Sequence, residues 1–534
     1  MKQVGLVWRT IRHLTARQLA GQVLSRVRRR GQLRLIESAP AGYFLVVTEA
    51  DKPVSLVGET FTFLNKPVIM PEVNWNFADH GKLWTYNLNY FDFLNQRSTD
   101  DAPGLMPERG LGLIRDFIRQ TKHLRDGLEP YPTSLRIINW IQFLSRNQFQ
   151  DDTINQHLYA QSDLLRRRLE YHIAGNHLLE NGFALLMAAL YFRQTAWLGQ
   201  AAKLVRAELT TQLLTDGGHD ERSPMYHQLL LDRLLDVLLA VKHNTWCPDP
   251  AFVQFLKDKA TRMLGWLNAI TFQNGDVPMV NDAGWNIAPT TGQLRKKAVG
   301  LGIRPSSGSL QNAAKDTGYR KFTFPRYELV ADVGAVGPDH QPGHAHADTF
   351  SFVLYVDNQP LIVDSGTSTY ESGMRRNWER STSAHNTVEV KDSNSSEVWA
   401  GFRVGRRARV TLLADQPTAL TARHDGYRPL SVIHERTWLV APEHVQITDR
   451  LIGSKSKRPQ IGVARLHFHP DVLVALAGTS LKSDKVHMTF ASEPTPELRL
   501  TSYQMAAGFN RLRSASCVEI IFTNYLETRF VTTQ

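Results

Sequence analysis

Residues 298–321 read AVGLGIRPSSGSLQNAAKDTGYRK, and residues 326–336 read RYELVADVGAV. Between these two stretches the hydrophobic period changes from that of a helix to that of a strand. Upstream, from about 107 to 270, apolar residues recur at three- and four-residue steps, as in PERGLGLIRDFIRQTKHL (107–124) and TSLRIINWIQFLSRN (133–147). Short breaks with Gly, Pro or Asp separate these segments. Helices joined by short loops predict antiparallel hairpins, arranged as a bundle or as a ring of helix pairs. Downstream, short runs rich in β-branched and aromatic residues, among them TFSFVLYVDN, NTVEVKD, SVIHERTWLVA and HVQITDRLIG, predict an antiparallel β-sandwich. The Gly- and Ser-rich stretch at 298–321 is the predicted linker. The expected organisation is a basic helical segment over 1–40, an α-helical domain over 41–310 and an antiparallel β domain over 320–534.

The chain has 534 residues, too many for a single core. Its 42% hydrophobic and 21% charged content is that of a folded globular chain rather than a disordered one. No run of eighteen apolar residues occurs, so no membrane-spanning helix is predicted. Cys247 and Cys517 are the only cysteines; they imply neither a disulfide framework nor a cysteine-based zinc site, and both read as buried thiols. The net charge of +11 would draw in an anionic partner, but no nucleic-acid recognition motif accompanies it, so none is expected. The first 36 residues hold no acidic residue, and Val7, Ile11, Leu14, Leu19, Val23 and Val27 recur at roughly helical spacing. A basic amphipathic helix of this kind either packs on its own protein or makes peripheral contact with an anionic membrane. It has no continuous apolar stretch of a signal peptide, so the expected location is cytoplasmic, with periplasm or cell envelope as the alternative.

Four polar constellations stand out. In AGNHLLENG (174–182), Asn176 and His177 open an apolar helix, where Asn is also a common N-cap. In HDERSPMYHQLLL (219–231), Tyr226 begins a long helix; a tyrosine can be a general acid or base if cations lower its pKa, and His219, Arg222 and His227 are the local candidates. In GHAHADTFSFVLYVDNQPLIVDSGTSTY (343–370), His344 and His346 would project together from a strand, and a strand–turn–strand would bring Asp364 alongside. With His385 beginning a later strand, two imidazoles and a carboxylate suit a divalent ion, with zinc the first choice. The competing reading is a cluster of buried groups that satisfy one another. In PYPTSLRIINWI (130–141), Arg136 and Asn139 share a helix face that also carries Trp140, which suits gripping a carboxylate and stacking on a sugar. Arg380, beside the STSAHNTVEV stretch (381–390), is a further candidate for substrate binding.

The ordered set PYPTSLRIINWI, GNHLLENG, SPMYHQLLL, GHAHADTFSFVLYVDNQPLIVDSGTSTY and STSAHNTVEV resembles the heparinase II/III-type polysaccharide lyases, and LWTYNLNYFDFLN (83–95) resembles the entry segment of relatives found among exopolysaccharide genes. The resemblance implies an N-terminal incomplete (α/α) toroid followed by a C-terminal antiparallel β-sandwich, with the active site between them. It implies β-elimination on a uronic-acid-containing acidic polysaccharide, either a heparin- or heparan-like glycosaminoglycan or a bacterial exopolysaccharide. Asn176 and His177 would then neutralise the uronate carboxylate, Tyr226 would be the catalytic acid/base, His344 would assist and Tyr370 would be a second tyrosine. His346, Asp364 and His385 would hold one divalent metal ion. Two other functions are open: a glycoside hydrolase on the same scaffold, for which Asp220, Glu221, Asp276 and Asp282 are available, or a non-catalytic polysaccharide-binding protein.

Overall fold

The computed structural model describes residues 2–27, 32–38, 40–100, 104–304, 314–453 and 459–533. Helices dominate the first part: α1 (Lys2–Ile11), α2 (Ala16–Val27), α3 (Lys82–Tyr90), α4 (Pro107–Gln120), α5 (Pro130–Asn147), α6 (Asp152–Arg166), α7 (Gly175–Tyr191), α8 (Thr195–Gln212), α9 (Pro224–Lys242), α10 (Pro250–Ile270) and α11 (Thr291–Gly300). Their starts follow capping chemistry. Asp151, Ser223 and Asp249 each accept a hydrogen bond from the first turn of α6, α9 and α10. Pro224 and Pro250 stand at first helical positions, where no N–H is needed. Trp84, Trp140, Trp266 and the buried face of α7 fill one helical core.

A small three-stranded sheet, Leu56–Val57, Thr60–Phe63 and Lys66–Ile69, interrupts the α-helical domain expected over 41–310. From Tyr319 onward the structure is mainly antiparallel β. Tyr319–Thr323, Tyr327–Asp332, Phe352–Val356 and Gln359–Ile362 form a meander. A second sheet orders Glu497–Ala506, Leu512–Thr523, Ile461–His467 and Val388–Val390. An eight-stranded sheet includes the long hairpin Val432–Ala441 and His444–Gly453, with Tyr525–Thr532 beyond it. Leu329, Phe352, Trp438, Ile447 and Ile520, drawn from all three sheets, share one core. This is the expected helical toroid followed by a β-sandwich. The predicted linker is only partly described: residues 305–313 lie outside the described residues, and Tyr319–Thr323 at its far end is already a strand.

Among the described residues no helix is long and apolar enough to cross a membrane. Cys517 is buried, but Cys247 is exposed, a correction to the expectation of two buried thiols; both are free. The N-terminal helices are docked on the protein. Arg9 reaches Glu397 with Nε and Nη2 at 2.8 and 2.9 Å, Gln18 Nε2 donates to His340 O at 2.9 Å, and the Arg17 guanidinium lies 3.7 Å from the Tyr171 ring centroid. The segment therefore touches both the helical and the β part.

Candidate active site

A groove of about 1850 Å³ runs between the helical and β parts, and Asn176, His177, Tyr226, His344 and Tyr370 all line it. Its organising group is Asp282, which is fully buried behind the wall. Arg376, on the short helix α12 (Met374–Glu379), grips it with Nη1 at 2.5 Å and Nη2 at 2.6 Å. His344 Nδ1 and His346 Nε2 donate to it at 2.9 Å each, and Thr367 Oγ1 at 3.2 Å. Burial alone would raise this carboxyl; the Arg376 charge and the two histidine hydrogen bonds outweigh burial and hold it well below the usual carboxylate range. Because a carboxylate only accepts, His344 carries its proton on Nδ1 and presents Nε2 elsewhere.

Tyr226 sits in the first turn of α9, where Ser223 caps the helix and donates its hydroxyl to Asp282 O at 3.0 Å. The Tyr226 and Tyr370 hydroxyls are 3.0 Å apart, and the Tyr226 ring centroid is 4.0 Å from that of His344. Arg376 lies 5.1 Å from the Tyr370 ring centroid, close enough for a cation–π contact. Both phenols are pushed well above their ordinary value, first by burial and then by Tyr370 for Tyr226 and by Asp282 for both. This reverses the expectation of a lowered tyrosine pKa: His219 and His227, two of the cations invoked for it, are buried elsewhere, on Gln212 and on Met263 O.

Across the groove, α7 begins with a strained turn. Ala174, not Asn176, is the N-cap, with φ 63° and ψ −153°, a conformation costing on the order of 1–3 kcal/mol outside glycine. Gly175 follows at φ 57°, and a Cβ there would meet Glu221 Oε1 at 2.6 Å. That oxygen accepts the Asn176 backbone N–H at 3.1 Å, while Oε2 stands 3.5 Å from His344 Nε2. Through Oε1 Glu221 fastens the start of α7, while its Oε2 accepts no hydrogen bond among the described residues. His177 stacks on Tyr131 with centroids 4.2 Å apart; burial pulls its pKa down, but the nearby Glu170 prevails and leaves it raised.

Several sequence candidates are placed away from the groove. Arg136, Asn139 and Trp140 are fully buried in α5. Arg136 donates to Asn89 O and Gly127 O, and Asn139 to Tyr90 O and Asp92, so these side chains brace the entry segment rather than grip substrate. Arg222 is engaged by Thr317 O and Gly337 O, and Arg380 by Ala345 O. His227 is buried as described above. None of these six lines the groove. Of the hydrolase candidates, Asp220, Glu221, Asp276 and Asp282, none lines it either.

His344 and His346 lie in a loop, not on a strand; they are brought together by Asp282 instead. Among the described residues no three His, Cys, Asp or Glu side chains are grouped as a metal ion would require. His346 turns to Asp282, while His385 Nδ1 and Asp364 Oδ2 are paired at 2.7 Å. Two buried nitrogens nonetheless lack any hydrogen-bond partner, His346 Nδ1 and His385 Nε2, and their rings are 5.3 Å apart. The donor set is therefore two imidazoles, with Asp364 orienting one of them.

Comparison with known proteins follows the same division. A family model described as heparinase II/III N-terminus matches residues 133–298, and one described as heparinase II/III-like, C-terminal, matches 307–529. A heparin-sulfate lyase of Bacteroides stercoris is 22% identical over 324 residues, 56% of this chain and 46% of the relative. FtsZ-localized protein C of Caulobacter vibrioides is 28% identical over 313 residues, 52% of this chain and 50% of the relative. The chain spans about half the length of these curated relatives. A solved structure of heparinase III superimposes with a TM-score of 0.67 at 15% identity, covering 97% of this chain and 89% of that one.

Proposed function

The chain belongs to the heparinase II/III family, and from that premise we propose that it is a polysaccharide lyase acting by β-elimination on a uronate-containing acidic polysaccharide. The observation that carries the reading is the cluster of Tyr226, Tyr370 and His344 on one groove wall. Asn176 and His177 line the same groove. Relatives named as heparin-sulfate lyases support the same chemistry.

C5–H of a uronate is a weak acid because the adjacent carboxylate is already charged. Removing that proton builds an enolate-like dianion. An amide from Asn176 and a cationic His177 at the carboxylate would stabilise the added charge, and one such donor is worth roughly 2.7–4 kcal/mol of barrier. His344 Nε2, with Nδ1 tied to Asp282, accepts the C5 proton. Tyr226 enters the reaction protonated, as its raised pKa dictates, and donates to O4 as the C4–O4 bond breaks and C4=C5 forms. Transfer of the proton from His344 to the phenolate after product leaves resets the pair. Acid–base help of this kind contributes roughly 10²–10⁴-fold.

The divalent ion is a separate proposal. His346 Nδ1 and His385 Nε2 would hold it, and bound there it would brace the loop behind His344. Elemental analysis should find one equivalent, and Asp364→Asn should lower the melting midpoint of metal-loaded protein more than that of chelated protein. No bound metal, or equal shifts in both, removes the ion from the account. The activity is tested by incubating the protein with a panel of uronate polymers and following the ultraviolet absorbance of the C4=C5 product. Chain shortening without that absorbance would instead indicate a hydrolase.

A further inference from the structure

We infer that the groove is built for a polysaccharide whose only regular charge is its uronate carboxylate, and not for a sulfated one; this rests on the lyase reading above. Eight Lys or Arg and seven Asp or Glu line the groove among the described residues. The chain's net charge of +11 is therefore carried almost wholly elsewhere. Five of the eight basic side chains in the groove are already ion-paired, and among the described residues Arg97, Lys296 and Arg403 are not. Lys52 meets Asp232 at 3.0 Å, Lys297 meets Asp232 at 2.5 Å and Asp236 at 2.7 Å, and Arg233 meets Glu180 at 3.3 Å. Lys82 pairs with Glu129 and Arg407 with Asp339. A sulfate could recruit the buried ones only by leaving a carboxylate unpaired in low dielectric, which is strongly unfavourable.

A sulfated chain would bring several negative charges per disaccharide against a lining whose Lys, Arg, Asp and Glu side chains sum to only +1, and such a lining does not complement it. What the walls offer instead is aromatic surface. Tyr86, Tyr90, Tyr131, Trp285, Phe402 and Phe509 line the groove and can pack on the apolar faces of sugar rings. At the cleavage point, Asn176 and His177 are the lining groups that would take one carboxylate.

The test uses the wild-type protein and matched polymer pairs at one ionic strength. These are an unsulfated glucuronate–N-acetylglucosamine polymer, unsulfated chondroitin and alginate, each beside the same backbone chemically sulfated. For whichever backbone is cleaved, the unsulfated member should be turned over at least tenfold faster. Equal or faster cleavage of the sulfated member overturns the inference and leaves the lyase reading standing. No unsaturated product from any of the six polymers counts against the lyase reading itself, and the inference falls with it.

Discussion

Asp282 is the residue on which the site depends, and nothing near it in sequence announces that. Its partners His344 and Arg376 stand 62 and 94 positions away, so only the fold reveals the hub. By contrast Asn176, His177, Tyr226, His344 and Tyr370, picked out by their motifs, all reach the groove. Arg136 and Arg380 looked like substrate grips because a guanidinium's sequence context does not say whether it meets a ligand or backbone carbonyls; here it meets carbonyls. Asp282→Asn would leave the buried Arg376 charge half-satisfied. It should cost roughly 3–5 kcal/mol of stability by denaturant titration. Asn176→Ala should keep the fold, because its backbone N–H supplies the bond to Glu221, while turnover drops by about two to three orders of magnitude. A change in KM alone would show that Asn176 only binds.

At the scale of elements, alternation of apolar and polar residues is clearest in a strand with one buried face. Val432–Ala441 alternates buried and partly exposed residues along its length and was legible. Glu497–Ala506 is mostly exposed until its last residues, so its pattern carries little apolar signal. The long hairpin holds a polar ladder inside this domain. Arg436 and Asp449 are directly opposite, bonded at 2.7 and 2.9 Å, and His434 joins Asp449 at 2.6 Å. Burial would raise Asp449, but Arg436 prevails and the carboxyl is lowered to about 2. A depressed folded value means that this contribution is present above the unfolded pKa, about 3.9, and is lost as pH falls through the folded one. Asp449→Asn should therefore destabilise the protein by roughly 3–5 kcal/mol at pH 7. It should also flatten the loss of stability between about pH 4 and pH 2 relative to wild type. Parallel acid limbs in the two proteins, read by denaturant midpoints, would contradict the assignment.

Over the whole molecule, α1 and α2 bridge the two domains at the groove's rim, where Thr10, Leu14, Gln18 and Gln22 contribute to its lining. The basic, acid-free composition of this segment was plain in the sequence, but the sequence could not choose between docking and a membrane, because both need one apolar face. The structure shows docking on both domains, through Arg9, Arg17 and Gln18. Its outer side still exposes Val4, Trp8 and Val23 beside Arg12 and Arg26, and peripheral contact with an anionic membrane is proposed for that side. Removing residues 1–36 should lower the melting midpoint and abolish flotation with anionic vesicles. An unchanged midpoint would contradict the docking, and full-length protein that stays out of the vesicle fraction would contradict the membrane contact.

Tyr226 is proposed to deliver the proton that lets O4 leave. Tyr226→Phe removes one hydroxyl and keeps the ring that packs on His344. On the uronate polymer that wild type cleaves, the account predicts that absorbance of unsaturated product from this variant falls by at least 10²-fold in single-turnover measurements, with the melting midpoint nearly unchanged. A near wild-type rate from well-folded Tyr226→Phe would contradict it.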